Sequence, residues 1–293
     1  MQGLADEFEA HRRHVRLVAY RMLGSLSEAD DAVQETWLRL SRTDAGVIGN
    51  LRGWLTTVAG RVCLDMLRVR AARREDSLDT HVPDPIVQRL GARDDGVEAG
   101  ALRDEAVGMA LVVVLATLDP AERLAFVLHD VCGLSFEEIA PVVDRSVAAT
   151  RQLASRARRR VQDQAPPVET DLREQRRVVE AFLAAVQAGD VPALAAVLDP
   201  AIVLRADGGA AAGMSRVVRG ADGVVAQAVM FSKLDLTSEI VLVNGHAGVV
   251  SRLPGGRVLS VIGYTVAGGR VIRMDILADS DRLAALDLPP ATS

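Results

Sequence analysis

The chain has 293 residues, enough for two or three compact units rather than one small domain. Nearly half of its residues are hydrophobic, only 3% are aromatic, and the net charge is −5, so cores can form and the chain is not uniformly basic. No apolar run is long enough to cross a membrane, and the charged start MQGLADEFEAHRRH is unlike a signal peptide. We therefore expect a cytoplasmic protein with no membrane partner.

The first 75 residues have the hydrophobic periodicity of three helices. Ser27, followed by Asp30, resembles the N-cap and acidic first turn of the second helix, and Asn50 is placed to cap the third. Charge is segregated, because SEADDAVQE (27–35) is acidic whereas MLRVRAARR (66–74) carries arginines and no acid. This segregation is typical of a chain with one basic and one phosphate-rich partner, although solvated helix faces give the same pattern.

A second helical block is predicted over residues 105–162, between two linkers. The linker at 76–104 is acidic and contains two prolines, and the linker at 163–170 contains two more. A break at Asp119-Pro120 and another near Asp144 divide the block into four helices.

Residues 134–161 have the pattern of a helix-turn-helix. Ser135 and Glu138 form a capping box, Pro141 should kink the first helix, and Asp144 stands in the turn where glycine would be easiest. Arg and Gln are residue types that pair with base edges, and arginines further along would contact phosphates. An ordinary helical hairpin with a basic exposed helix would give a similar pattern. The side chains expected to point outward are Thr150, Arg151, Gln152, Ser155 and Arg156, with Arg158, Arg159 and Arg160 beyond them.

Residues 171–293 change to an α+β pattern. Two helices come first, and a helix at 221–231 interrupts a series of β-branched runs that read as strands. Helices followed by a strand meander predict a sheet curled around a hydrophobic pocket. The runs are 201–205, 240–244, 248–252, 257–266 and 270–277.

Catalytic and metal chemistry have little support in the sequence. Asp207, His246 and Asp275 are the obvious acid–base candidates, but no spacing identifies a dyad. Cys63 and Cys132 follow no metal-ligand spacing and are expected to be core thiols. We therefore expect no catalytic residue, no metal ion and no cofactor.

Three segments together resemble regions 2 and 4 of extracytoplasmic-function (ECF) sigma factors. They are YRMLGSLSEADDAVQETWLRL, LRGWLTTVAGRVCLDMLRVRAARR and LDPAERLAFVLHDVCGLSFEEIAPVVDRSVAATRQLASRARRRV. The final third resembles the SnoaL-like (NTF2-like) extension of the SigJ-type, ECF41-like subgroup through VNGHAG (243–248), DGGAAAG (207–213) and ADSDRL (278–283). HVPDP (81–85) is similar to the subgroup's WLPEP motif, without the Trp. DGGAAAG lacks the Lys of the subgroup's DGGGK, and ADSDRL departs from its NPDKL.

The resemblance implies a multidomain chain. All-α region 2 (1–75) and helix-turn-helix region 4 (105–162) are followed by an α+β cone (171–293) that modulates the sigma regions in cis through intramolecular contact. It also implies transcription initiation as the function and core RNA polymerase as the partner, through its β′ clamp helices and β flap. The matching residues for the clamp helices are Asp30, Asp31, Gln34, Glu35 and Trp37. Trp37 could equally be a core residue.

Promoter DNA is the second implied partner, as duplex and as the melted −10 strand. The loop TDAGVIGN (43–50) would capture a flipped base. Matching residues for the −10 element are Asn50, Arg61, Arg68, Arg70, Arg73 and Arg74, and those for the −35 element are Thr150, Arg151, Gln152, Ser155, Arg156, Arg158 and Arg159. Asp65 is expected to shape the site rather than to catalyse, and the acidic linker to thread near the polymerase cleft. Two alternatives are a conventional helix-turn-helix regulator, which leaves the first 75 residues unexplained, and a cyclase or isomerase fused to a DNA-binding module.

Overall fold

A computed structural model describes residues 2–44, 48–73, 80–90, 108–164, 169, 171–209 and 215–290 of the chain. The chain forms two compact units, each of two segments. The helical unit comprises Met1–Asp76 and Val112–Gln164, and the sheet unit comprises Ser77–Leu111 and Ala165–Ser293. Of the helices described, none combines the length and the apolar character needed to cross a membrane.

The helical unit begins with three long helices that pack on one another, α1 (Gln2–Leu23), α2 (Leu26–Ser41) and α3 (Leu51–Arg73). Their apolar faces form a core around Phe8, Val15, Val33 and Leu55. Helix α2 begins earlier than expected, because Ser25 rather than Ser27 is the N-cap residue, and the Ser25 side chain makes no capping hydrogen bond.

The second part of the helical unit carries the helix-turn-helix. Helix α4 (Met109–Ala116) spans the boundary between the two units, and α5 (Pro120–Phe126) follows with Asp119 as its N-cap residue. A π-helical turn (Val127–Val131) leads to α6 (Phe136–Val143) and α7 (Val147–Gln164). The breaks at Asp119-Pro120 and Asp144 are therefore confirmed, and α7 extends two residues into the expected linker.

The sheet unit contains one seven-stranded sheet, in the order β1-β4-β5-β6-β7-β2-β3. Its pairs are antiparallel except β2 with β7, which is parallel. The strands are β1 (Val87–Arg89), β2 (Leu198–Asp207), β3 (Arg216–Arg219), β4 (Thr237–Val243), β5 (His246–Arg252), β6 (Val258–Ala267) and β7 (Arg270–Leu277).

Helices cover one face of this sheet. Helices α8 (Leu172–Ala188), α9 (Val191–Val197) and α10 (Ala221–Phe231) pack with β2, β5, β6 and β7 into a single apolar core, and α11 (Ser280–Ala285) follows β7. The helix expected at 221–231 and the five strand runs are confirmed. Two short strands were not anticipated: β3, and β1, which lies inside the segment expected to be an unstructured linker.

Candidate functional site

The acidic face of α2 borders a shallow surface cavity between α1 and α2. Asp30, Asp31, Gln34 and Trp37 line it, and its volume is about 290 Å³. Trp37 is half-buried and packs against Phe8 of α1 with ring centroids 5.1 Å apart, so it is partly a core residue and partly a wall of the cavity. The structure therefore brings four of the five residues expected at a polymerase contact onto one surface.

Two carboxylates of α2 are already paired within the helical unit. Asp30 accepts hydrogen bonds from Arg16 Nε and Nη2 at 2.6 and 3.1 Å, and these bonds raise the pKa of Arg16. Glu35 accepts from Arg39 Nε at 3.0 Å. Asp30, Asp31 and Gln34 are all exposed, and of the three only Asp30 has an ion pair shown here.

Asn50 caps α3 as expected. Its Oδ1 accepts from Gly53 N at 3.1 Å, and its carbonyl accepts from Trp54 N at 3.0 Å. Asn50 and Arg61 line one side of a groove of about 390 Å³, and Glu138 and Pro141 of α6 line the other. Any ligand that reaches Asn50 through this groove therefore passes between α3 and the first helix of the helix-turn-helix.

The arginines of α3 differ in their surroundings. Arg61 and Arg68 are exposed, and Arg68 lies only 3.7 Å from an equally exposed Asp65. Arg70 is ion-paired with Glu28 and donates to the Leu23 carbonyl at 3.3 Å, so in this conformation its guanidinium joins α3 to the α1–α2 corner. The Arg73 side chain, Arg74 and residues 45–47 of the loop lie outside the described residues.

The helix-turn-helix has strong local signals at both ends of its first helix. Ser135 Oγ accepts from Glu138 N at 3.3 Å and Glu138 Oε2 accepts from Ser135 N at 2.8 Å, which is the expected capping box. The hydrogen bonds from Ser135 hold the pKa of Glu138 below its usual value. Asp144 ends the helix in the left-handed region at φ 55°, as the turn requires of a residue that tolerates this conformation.

The exposed face of α7 agrees with the expected recognition face in all but two positions. Arg151, Gln152, Arg156 and Arg159 are exposed, Ser155 is half-buried, and the Arg151 guanidinium stacks over Phe136 at 5.3 Å. Thr150 was expected to point outward, and this is wrong. It is fully buried, and its hydroxyl donates to the Ser146 carbonyl at 3.0 Å.

Arg158 is the second exception. Its Nε donates to Asp130 Oδ1 at 2.9 Å. The Arg158 side chain therefore links α7 to the π-helical turn and would have to leave Asp130 to contact a phosphate. Arg160 is placed similarly, 3.1 Å from the buried carboxylate of Glu122. An arginine repeat on a helix contains residues of both faces, so their number alone does not separate DNA contacts from structural ion pairs.

A charge cluster in the sheet unit holds residues 81–85 of the expected linker. Arg282 of α11 donates to Asp84 Oδ1 from Nε at 2.8 Å, to the Val82 carbonyl at 2.6 Å, and to Asp207 Oδ2 at 2.8 Å. Asp207 also accepts from Val82 N at 3.0 Å and lies 3.3 Å from His81 Nδ1. We call these five residues the linker clasp.

Asp207 is ionised in the linker clasp. Burial opposes its ionisation, but hydrogen bonds from His81, Val82 N and Gly209 N, together with the Arg282 charge, outweigh burial and hold the pKa of Asp207 well below its usual range. The carboxylate is therefore a structural anchor rather than a proton carrier at neutral pH.

A second attachment follows immediately along the same segment. Ile86 N donates to Asn244 Oδ1 at 2.9 Å, and Asn244 N donates to the Ile86 carbonyl at 2.8 Å. Asn244 adopts φ 50° in the β4–β5 turn, and β1 then pairs with β4 in the register Val87↔Val243. The turn within VNGHAG (243–248) is thus the part of the sheet that binds Ile86 of the expected linker.

The acid–base candidates of the sheet unit are not assembled into one site. His246 Nδ1 lies 3.0 Å from Gln175 Nε2, and burial lowers the pKa of His246. Asp275 is buried between Arg205 and Arg273 at 3.4 and 2.8 Å. None of the described residues His246, Asp207 and Asp275 lines the apolar cavity of the sheet unit, and the described residues contain no group of three His, Cys, Asp or Glu side chains that could hold a metal ion. Cys63 is buried, which raises its thiol pKa to about 12, and Cys132 is half-buried.

Comparison with known protein families places both segments of the helical unit. The Sigma-70 region 2 family matches residues 8–73, and the Sigma-70 region 4 family matches residues 108–161. The helical unit therefore contains regions 2 and 4 of a sigma factor, in which α1–α3 form region 2 and the segment from α4 to α7 forms region 4.

Individual relatives narrow the class of sigma factor to which the chain is similar. The chain is 38% identical to the ECF RNA polymerase sigma factor SigJ of Mycobacterium tuberculosis, over 97% of this chain and 94% of that protein. It is 37% identical to the probable ECF sigma factor SigI of the same species, over 74% and 73%. The crystal structure of M. tuberculosis SigJ is similar with a TM-score of 0.75 and 35% identity, covering 97% of this chain and 100% of that one. The chain belongs to the ECF RNA polymerase sigma factor family.

Proposed function

We propose that this chain binds core RNA polymerase through the acidic face of α2 and directs it to promoters that carry −10 and −35 elements. The observation that carries the proposal is the presence of two oppositely charged surfaces in one helical unit. Asp31 and Gln34 are exposed beside Trp37 on α2, whereas Arg151, Gln152 and Arg156 are exposed on α7. Carboxylates supply electrostatic complementarity to a basic partner, and the arginines supply contacts to DNA.

On the DNA side, Arg151, Gln152, Ser155 and Arg156 would read the −35 element, with Arg159 on a phosphate. Asn50 would contact the melted −10 strand, and Arg61 and Arg68, together with Arg73 and Arg74 of the expected set, would hold its backbone. Arg70 and Arg158 would contribute only after leaving Glu28 and Asp130.

Reconstituted transcription with core polymerase tests both surfaces. Asp31→Lys should weaken polymerase binding, while Asp235→Lys, which makes the same charge change at an exposed position of the sheet unit, should not. Arg156→Ala should leave polymerase binding intact and reduce initiation. Normal run-off transcripts from both Asp31→Lys and Arg156→Ala would contradict the assignment of these faces.

We further propose that the sheet unit modulates promoter output in cis by holding the segment between regions 2 and 4. The linker clasp and the Asn244 contacts support this, because residues 81–89 are bonded to the sheet unit at four successive points. Releasing the segment by Arg282→Gln in the full chain, or removing residues 165–293 by truncation after residue 164, should change transcript yield. Unchanged yield in both would exclude modulation by this route.

The conventional repressor alternative does not use the acidic face of α2. An enzymatic sheet unit would need acid–base groups at its cavity, and Asp207, Asp275 and His246 lie outside its lining. Polymerase binding and run-off initiation therefore separate the proposal from both alternatives.

A further inference from the structure

The sheet unit encloses a cavity that the sigma-factor function does not use. It lies between α8, α10 and the sheet, has a volume of about 150 Å³, and is walled mostly by Leu, Ile, Val, Phe and Met side chains. A cavity of this volume accommodates a molecule of about the size of benzene. Small-molecule sites are typically apolar pockets in which a few polar groups determine specificity.

Tyr264 of β6 is the first polar group of this wall. The residue is buried, its ring packs edge-on against Phe182 at 5.7 Å, and its hydroxyl has no hydrogen-bond partner among the described residues. Burial raises the pKa of Tyr264, so the hydroxyl keeps its proton and acts as a neutral donor. Since buried hydroxyls are normally hydrogen-bonded, an unpaired hydroxyl on a residue of the cavity wall makes Tyr264 the candidate donor to a bound molecule.

Arg216 is the second. Among the described residues that line the cavity it is the only charged one, and no described carboxylate lies within salt-bridge distance of it. The buried amide of Gln227, with its oxygen turned towards Arg216, accepts from Nε and Nη2 at 3.2 and 3.1 Å. A neutral amide orients the guanidinium without cancelling its charge, and three of the five N–H donors stay available.

We propose that this cavity binds a compact apolar carboxylic acid of about nine non-hydrogen atoms, a benzene-sized body plus a carboxylate, whose carboxylate pairs with Arg216 and which accepts a hydrogen bond from Tyr264. The apolar body of the acid replaces contacts that the Leu, Ile and Phe walls otherwise lack. The charge on Arg216 selects an anion over a neutral molecule of the same shape. The proposal does not depend on transcription, because binding is measured directly on the isolated full-length chain.

Benzoate and benzamide are suitable probes, since they have the same shape and differ in charge at neutral pH. Binding of each to the full-length protein is measured by calorimetry, with saturation-transfer NMR for weak binding. We expect benzoate to bind roughly tenfold more tightly than benzamide. Arg216→Gln should remove this preference, and Tyr264→Phe, which deletes only the hydroxyl, should weaken benzoate by about twofold to tenfold.

Two further variants make the result decisive. Ala228→Phe places a ring in the cavity from α10 and should abolish binding, whereas Arg257→Gln removes an exposed arginine of the β5–β6 turn and should change nothing. If Arg216→Gln does not fold, Ala228→Phe and the benzoate-to-benzamide ratio still test the site. Equal affinity for the two probes, benzoate binding that survives Ala228→Phe, or no binding of either probe at millimolar concentration would overturn the proposal.

Discussion

Replacing Arg282 by glutamine is the most informative perturbation of the linker clasp. The guanidinium donates to Asp84, Asp207 and the Val82 carbonyl at once, at distances between 2.5 and 2.8 Å. Glutamine keeps a polar side chain of similar reach but removes the charge. The change leaves two carboxylates, each only 9% exposed, without their shared cation.

The loss of stability expected for Arg282→Gln comes from these two buried carboxylates. Removing one partner of a buried ion pair typically costs about 3–5 kcal/mol, and the 25% exposure of the Arg282 side chain reduces this to about 2–4 kcal/mol. For a unit of this size each kcal/mol lowers Tm by about 2–4 °C, so the sheet unit should melt about 5–15 °C earlier. Adding Asp84→Asn should recover part of the loss, because it removes one of the two carboxylate charges that Arg282 no longer neutralises.

Thermal unfolding and hydrogen exchange measure the two consequences separately. Amide exchange at Val82 and Ile86 should accelerate in Arg282→Gln, since both N–H groups donate to side chains of the sheet unit. Arg257→Gln is the matched control, because it removes an arginine charge from an exposed turn. If Arg282→Gln melted within 2 °C of this control (roughly the smallest shift expected for 1 kcal/mol) with unchanged exchange at Val82, the clasp would not stabilise the linker and the reasoning would be refuted.

Three further predictions concern single side chains. The folded-state pKa of Asp207 lies below its unfolded value of about 3.9, so its contribution to the free energy of unfolding is fully present above that pH and is lost as pH falls towards the folded pKa. In denaturant titrations between pH 7 and 3, the difference in unfolding free energy between wild type and Asp207→Asn should therefore shrink on acidification. A difference that stays constant would contradict this. Asn50→Ala should lower the free energy of unfolding by about 1 kcal/mol, because the helix cap is lost. Asn50→Asp should keep the cap yet weaken binding to a melted −10 strand. Equal DNA affinity of the Asn50→Asp variant and the wild type in a fluorescence assay would argue against a strand contact. Arg156→Ala should make the fall of log DNA affinity with log salt concentration less steep by about 0.9, with stability unchanged. Arg158→Ala should instead lower the stability of the protein, because its ion pair with Asp130 is lost. The reverse pattern would exchange the roles of the two arginines.

Local signals in the sequence were sufficient for the parts of the fold that depend on neighbouring residues. The Asn50 cap, the Ser135–Glu138 capping box and the left-handed Asp144 each need only contacts within a few residues, and all three were predicted. The same holds for the helix Ala221–Phe231, whose limits agree with the expected ones. The two N-caps are fixed by hydrogen bonds between a side chain and nearby backbone N–H groups, and the turn at Asp144 by the tolerance of this residue type for the left-handed region.

Features that depend on distant partners could not be predicted in this way. Arg158 belongs to a helix whose polar residues outnumber its exposed positions, and its ion pair with Asp130, 28 residues earlier in the chain, does not follow from spacing. Strand β1 has three residues and exists because β4 offers an edge more than 150 residues later in the chain, where Val87 pairs with Val243. Tyr264 and Arg216 are 48 positions apart in the sequence, and both line the same cavity only in the folded chain. No sequence motif therefore marks either residue.

Strand β2 joins the two features of the sheet unit that carry proposals. Side chains alternate between the faces of a strand, so Leu204 and Ala206 line the cavity while the next residue, Asp207, anchors Val82 and Arg282. The Asp207 carbonyl also accepts from Ala278 N at 2.7 Å, which fixes this end of β2 beside the end of β7. A molecule in the cavity and the linker on the clasp are thus bound by adjacent residues of one strand. Occupation of the cavity can act on the linker through β2, and hydrogen exchange at Val82 with and without benzoate would measure that coupling.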